Sequence, residues 1–255
     1  MAAFDDPKKL YFFFDFISHN AYLAWHKLPA LARKHGLEVE PVPVLFAGFL
    51  ERFGQKGPAE MPAKARWMLW NILRKAKLHQ IPIAPPHSHP FNPLLPLRVC
   101  CAAQGEDRVR LVDRLYRAAW VESKAVSSEE IVRGEIAACG LNADALLQAA
   151  ASEPVKAQLR TNLEEALAAG AFGVPTMLVR RPGPASRSSA PGDAPGPTPG
   201  NSAPGHGELF WGFDDLEYLD AFLAGHDALG GDRSVHAPWF AIRPSAMRKA
   251  VAKKP

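Results

Sequence analysis

LYFFFDFISHNAYLA, residues 10–24, contains a strand, a turn and the start of a helix. Residues 10–16 are a dense apolar and aromatic run, the composition of a strand buried on both faces. From residue 20 to 35 the apolar Tyr22, Leu23, Leu28, Leu31 and Ala32 follow helical spacing, and Gly36 supplies a stop. Residues 39–44 read as a second strand. Pro41 and Pro43 cannot donate to a ladder, so this strand is expected at a sheet edge. The chain therefore opens β-α-β, the unit that builds a parallel sheet.

Beyond this unit the pattern is helical. Ala65, Leu69, Ile72, Leu73 and Ala76 share one helical stripe, and Arg108, Leu111, Val112, Leu115, Ala118 and Ala119 share another. Ser127 with Glu130 is a capping-box signal for a helix ending near Ala138, Asn142 can cap the next, and Ser152 with Pro154 opens one running to Gly170. A Pro-rich connection, residues 82–96, interrupts the series. Strand character returns at 176–179 and 208–211, followed by a helix over 214–223. Residues 181–207 hold seven prolines and six glycines with no aliphatic or aromatic side chain larger than alanine. That composition cannot bury enough apolar surface to order itself, so a disordered loop is expected there.

The 255 residues carry a formal net charge of +4 and a pI near 9.0. The whole excess lies after residue 225, where Arg233, Arg243, Arg248, Lys249, Lys253 and Lys254 face only Asp227 and Asp232. The body is neutral, which argues against a nucleic-acid groove and makes residues 226–255 a basic tail. The longest uncharged apolar stretch, residues 41–50, is ten residues with two prolines, too short for a membrane span. Cys100, Cys101 and Cys139 form no C-x-x-C and no paired framework, and residues 1–9 do not read as a secretory signal, so a cytoplasmic protein is expected. His87 and His89 lack a carboxylate or thiol at ligand spacing, so no metal site is expected. Trp67 and Trp70 read as core or pocket walls, Lys64 and Arg66 as solvated charges, and His19 as a helix-surface histidine.

The order β-α-β, long helical insertion, α-β-β-α is that of an α/β thioredoxin-like fold with an all-helical domain inserted after the second strand. The expected division is 9–45 with 171–225 for the thioredoxin-like part and 46–170 for the insertion. Such folds carry a proline, usually cis, before the third strand, and Gly173-Val174-Pro175-Thr176 stands in that place. The reactive position lies where the first strand meets the first helix, whose free N–H groups and partial positive charge stabilise a thiolate. Redox members have C-x-x-C there; this chain has Ser18-His19-Asn20-Ala21. Without a thiol of its own, the turn is suited to a thiolate supplied from outside.

Five motifs in register, FDFIS followed by YLA (residues 14–24), PAKARWM (62–68), HPFNPL (89–94), GVPT (173–176) and ELFWG with Asp214 (208–214), resemble the 2-hydroxychromene-2-carboxylate isomerases, relatives of the kappa-class glutathione transferases in the DsbA-like thioredoxin clan. The resemblance spans about residues 9–225. It implies a glutathione-dependent cis-trans isomerisation of 2-hydroxychromene-2-carboxylate and trans-o-hydroxybenzylidenepyruvate, or of a related aromatic-catabolism intermediate, with glutathione not consumed. It implies catalytic Ser18 donating a hydrogen bond to the glutathione sulfur. Val174, before Pro175, would pair with the glutathione peptide as an added strand. Phe210, Trp211, Gly212, Phe213 and Asp214 would hold the γ-glutamyl end. Gln55, Lys56 and Asn92 are the substrate-side candidates for a small aromatic carboxylate. The chain departs from the pattern in having Ser18-His19-Asn20 where S-P-Y is common, Gln55 where asparagine is usual, and Phe213 and Asp215 at positions often polar and basic. Relatives form dimers, so a homodimer is implied as well. Two other readings stay open: a kappa-like glutathione transferase, and a non-catalytic thioredoxin-like binding module.

Overall fold

The computed structural model describes residues 4–180, 207–229 and 234–242. Most of the expected disordered loop 181–207 and much of the basic tail 226–255 lie outside them. Within the tail, Ser234–His236 and Ala237–Phe240 form short helical turns.

The first strand, β1 (Lys9–Phe14), stops two residues short of the apolar run, because Asp15 turns the chain by accepting the N–H of Ile17 at 3.1 Å. Helix α1 (His19–Lys34) follows, then β2 (Glu38–Pro43). The helical series is α2 (Phe46–Phe53), α3 (Pro62–Leu78), α4 (Leu94–Ala102), α5 (Gly105–Trp120), α6 (Glu129–Ala138), α7 (Ala143–Ala151) and α8 (Glu153–Ala168). Then come β3 (Thr176–Val179), β4 (Glu208–Trp211) and α9 (Leu216–Leu223). Asn142 caps α7 through the N–H of Ala145, as its position predicts. The expected capping box of Ser127 and Glu130 does not form: Ser128 is the N-cap of α6, and its side chain makes no capping bond.

The four strands pair in the order β2-β1-β3-β4, with β1 parallel to β2 and antiparallel to β3. Proline-bearing β2 is at an edge, where its missing N–H groups cost no ladder bond. Alternation splits β1 between two cores. Leu10, Phe12 and Phe14 pack with α1 and α5 side chains such as Trp25 and Tyr116, while Tyr11 and Phe13 pack with Phe49 and Ala166. Burying both faces of one strand ties the sheet to helices on either side, and each fully buried Phe contributes roughly 2 kcal/mol. Trp67 and Trp70 are not part of the core. Each is 60% exposed, because α3 buries only Ile72 and Ala76. Among the described residues no helix is long and apolar enough to cross a membrane.

Candidate active site

Strand register brings the site together. Phe13 pairs with Thr176 and Thr176 with Trp211, so the end of β1, the start of β3 and the end of β4 share one edge of the sheet. Pro175 and Gly212 lie just beyond them at that edge, and Ser18 follows β1 through the turn at residues 15–17. The Val174-Pro175 peptide is cis, and the Gly212 N–H donates to the Pro175 carbonyl at 2.9 Å. Gly212 has φ +83°, a left-handed conformation that a side chain would strain.

Ser18 is the N-cap of α1. Its Oγ accepts the Ala21 N–H at 3.2 Å, which uses a lone pair and leaves the hydroxyl proton to be donated elsewhere. The first turn of α1 has no acidic residue, so the positive end of the helix dipole is not neutralised from within. Val174 is buried, and its N–H and C=O make no hydrogen bond among the described residues. Val174 thus carries an unpaired main chain, and α1 a bare N-terminus with a hydroxyl at its cap.

The turn that presents Ser18 is held from the helical insertion. The Asp15 carbonyl accepts from Tyr116 Oη at 3.2 Å and the Phe16 carbonyl from Trp120 Nε1 at 2.9 Å; His89 Nε2 lies 3.0 Å from the Ile17 carbonyl. The Asp15 carboxyl is fully buried, and its Oδ2 accepts the Phe46 N–H at 2.8 Å, joining the turn to the start of α2. Burial pushes its pKa up to about 7, against the opposing pull of the N–H groups of Phe46, Ile17 and Phe16.

The loop after β4 is held differently. Trp211 N–H donates to Asp215 Oδ2 at 2.8 Å, and Lys75 Nζ of α3 reaches Asp214 Oδ2 at 2.7 Å and Asn20 Oδ1 at 3.4 Å. Lys75 is 13% exposed against 74% for Asp214, and its ammonium lies 5.7 Å from the centre of the Phe213 ring. Asp214 is thus near the site but already has a cation. Phe210 and Phe213 turn their rings into the core, so only their main chain faces the site edge. Trp211 is half exposed and packs on Phe172. Gln55 and Lys56 are exposed behind the end of α2, with no described contact to Ser18, and the Asn92 side chain accepts the Leu94 N–H at 3.0 Å at the start of α4.

The description "DSBA-like thioredoxin domain" matches residues 9–224. The chain belongs to this family. Within it, the chain is 28% identical over 221 residues to a 2-hydroxychromene-2-carboxylate isomerase of Sphingobium xenophagum, covering 85% of this chain and 98% of that protein. It is 24% identical over 181 residues to glutathione S-transferase kappa 1 of Rattus norvegicus, covering 67% and 80%. A solved 2-hydroxychromene-2-carboxylate isomerase superposes with a TM-score of 0.67 at 22% identity, covering 85% of this chain and 94% of that one. The thioredoxin-like fold with a helical insertion is thereby established for this family member.

The fold gives three residues near Ser18 surroundings that the sequence did not assign them. Lys75 is one of several basic side chains on α3, and nothing in its spacing marks it. His89 opens the HPFNPL motif, and its loop returns to the Ile17 carbonyl. His19 is not on the helix surface: it is 8% exposed, stacked on His89 with centroids 6.4 Å apart and packed against Trp120 at 6.0 Å. Burial, reinforced by His89 and Lys75, pushes its pKa down to about 4, so the ring is neutral near pH 7. Among the described residues no cluster of three or more His, Cys, Asp or Glu side chains could hold a metal ion.

Proposed function

We propose that this protein is a glutathione-dependent cis-trans isomerase of 2-hydroxychromene-2-carboxylate and trans-o-hydroxybenzylidenepyruvate, or of a related intermediate of aromatic catabolism. The observation that carries the reading is Ser18, a hydroxyl in the place of the redox cysteine whose acceptor side is taken by Ala21 N–H. The 28% identity to a named isomerase along nearly that protein's whole length supports the reaction class. When bound, glutathione supplies a thiolate that adds to a conjugated double bond and leaves after the bond has rotated. Ser18 donates its proton as a hydrogen bond to the sulfur, and the α1 N-terminus lowers the energy of the anionic form. Val174 offers its unpaired N–H and C=O to the peptide. Asp214 and the main chain of the 210–213 segment receive the γ-glutamyl end. Gln55 and Lys56 remain the substrate-side candidates; Asn92 contributes less, because its carboxamide oxygen is engaged by Leu94.

The kappa-type relatives favour a second reading, conjugation of glutathione to an electrophile. Titration of the pure protein with glutathione tests both, and no binding at millimolar concentration sinks them together. Following glutathione while substrate absorbance changes separates them. Unchanged glutathione is expected, and stoichiometric loss overturns the isomerase in favour of the transferase.

A further inference from the structure

His19 is a buried polar ring beside the reactive hydroxyl, and none of the roles above uses it. It is the first residue of α1, next to Ser18, enclosed by His89 and Trp120. Its Nδ1 is sealed from solvent without a hydrogen-bond partner, whereas Nε2 is not sealed in this way. A sealed N–H without an acceptor is costlier and rarer than a sealed lone pair, so the proton of the neutral ring resides on Nε2. Burial keeps the ring neutral, and His89 and the Lys75 ammonium both oppose a second proton. The result is an N–H donor that does not turn into an acid near neutral pH, one residue from the group assigned to the sulfur.

We infer that His19 Nε2–H is the hydrogen-bond donor to the substrate's conjugated keto oxygen. The inference rests on the isomerase reading above. When a thiolate attacks a double bond conjugated to a 2-oxo acid, a C–S bond forms and the displaced π pair moves through the conjugated chain to the keto oxygen. The pair returns as the C–S bond breaks, so no oxidant, reductant or net proton is required. A fixed neutral donor at that oxygen stabilises the charge where it develops without surrendering its proton. Ser18 then serves the sulfur and His19 the oxygen.

Two substitutions separate the ring nitrogens. The side-chain nitrogen of glutamine falls near Nε2 of histidine, and that of asparagine near Nδ1. Calorimetry with 4-phenyl-2-oxobutanoate, a keto acid without the conjugated double bond, should show affinity about tenfold weaker in His19→Asn and within about twofold of wild type in His19→Gln. Glutathione affinity should stay within about twofold in both, while kcat falls about 100-fold in His19→Asn and is largely restored in His19→Gln. Nitrogen NMR of the wild type should report the Nε2–H tautomer and no protonation down to about pH 5, a readout that holds even if a variant folds poorly. An Nδ1–H tautomer, or a His19→Asn protein that binds the keto acid and turns over like wild type, overturns the inference. A wild type that binds no glutathione overturns the isomerase reading and this one with it; intact glutathione binding with normal turnover in His19→Asn overturns only the role of His19.

Discussion

At the end of β1 the carbonyls of Asp15, Phe16 and Ile17 each have a ring group from the helical insertion at hydrogen-bond distance, two of them buried. At the end of β4 the turn 212–214 is tied by the buried Phe213 ring, by a main-chain bond to Pro175 and by the exposed Asp214 carboxylate to Lys75. Both turns border the same sheet edge; the first is locked by buried hydrogen bonds, while the second, anchored by the Phe213 ring, is adaptable only at its exposed carboxylate. Buried hydrogen bonds are costly to break, because the partner left behind cannot turn to water; an exposed ion pair exchanges partners at little cost. In the proposed reaction the locked turn presents Ser18 to the sulfur, where a small displacement is expensive for catalysis, and the adaptable one faces the charged end of glutathione.

The largest expected effect lies beneath the locked turn. The folded pKa of Asp15, about 7, is raised above its value near 4 in the unfolded chain. Its contribution to stability is therefore fully present below about pH 4 and is lost as pH rises toward 7, by a few kcal/mol over that window. Urea melts of wild type and Asp15→Asn across pH 4 to 8 check this, and a wild-type slope that survives in Asp15→Asn would refute it. Next, Ser18→Ala should slow turnover about 100-fold while costing only about 1 kcal/mol of stability from the lost cap. Steady-state rates beside thermal melts separate the two effects, and wild-type rates would remove Ser18 from the mechanism. Trp120→Phe should leave the buried Phe16 carbonyl unpaired and destabilise the protein by about 1–3 kcal/mol, read as a lower denaturant midpoint. The smallest effect is expected at the adaptable turn. Lys75→Met keeps the aliphatic stem and should change stability by less than about 1 kcal/mol. A loss as large as that of Trp120→Phe would mean that the two turns are held alike.

Much of this was legible in the chain. The aromatic run of β1, the prolines of β2 and the G-V-P-T segment each carry a local constraint strong enough to be read alone: burial on two faces, a missing donor, a fixed φ. Ser18 was legible as an N-cap because its side chain precedes the apolar spacing of α1. The departures came where partners lie far apart in sequence. Tyr116, Trp120 and His89 reach the reactive turn from about 70 to 100 positions away, and no periodicity reports which carbonyl a distant ring will meet. Trp67 and Trp70 misled for the same reason, since a helical stripe of large apolar residues does not say which face finds a partner.

Local chemistry, then, determined the elements, their order and the serine at the end of the first strand, because backbone sterics and short-range hydrogen bonds act within a few residues. Tertiary structure alone decided that His19 is buried and neutral, that Lys75 sits against Asp214, and that ring groups of the insertion meet the turn. Burial and the local dielectric are properties of the packed whole, and they set which of these groups carry charge.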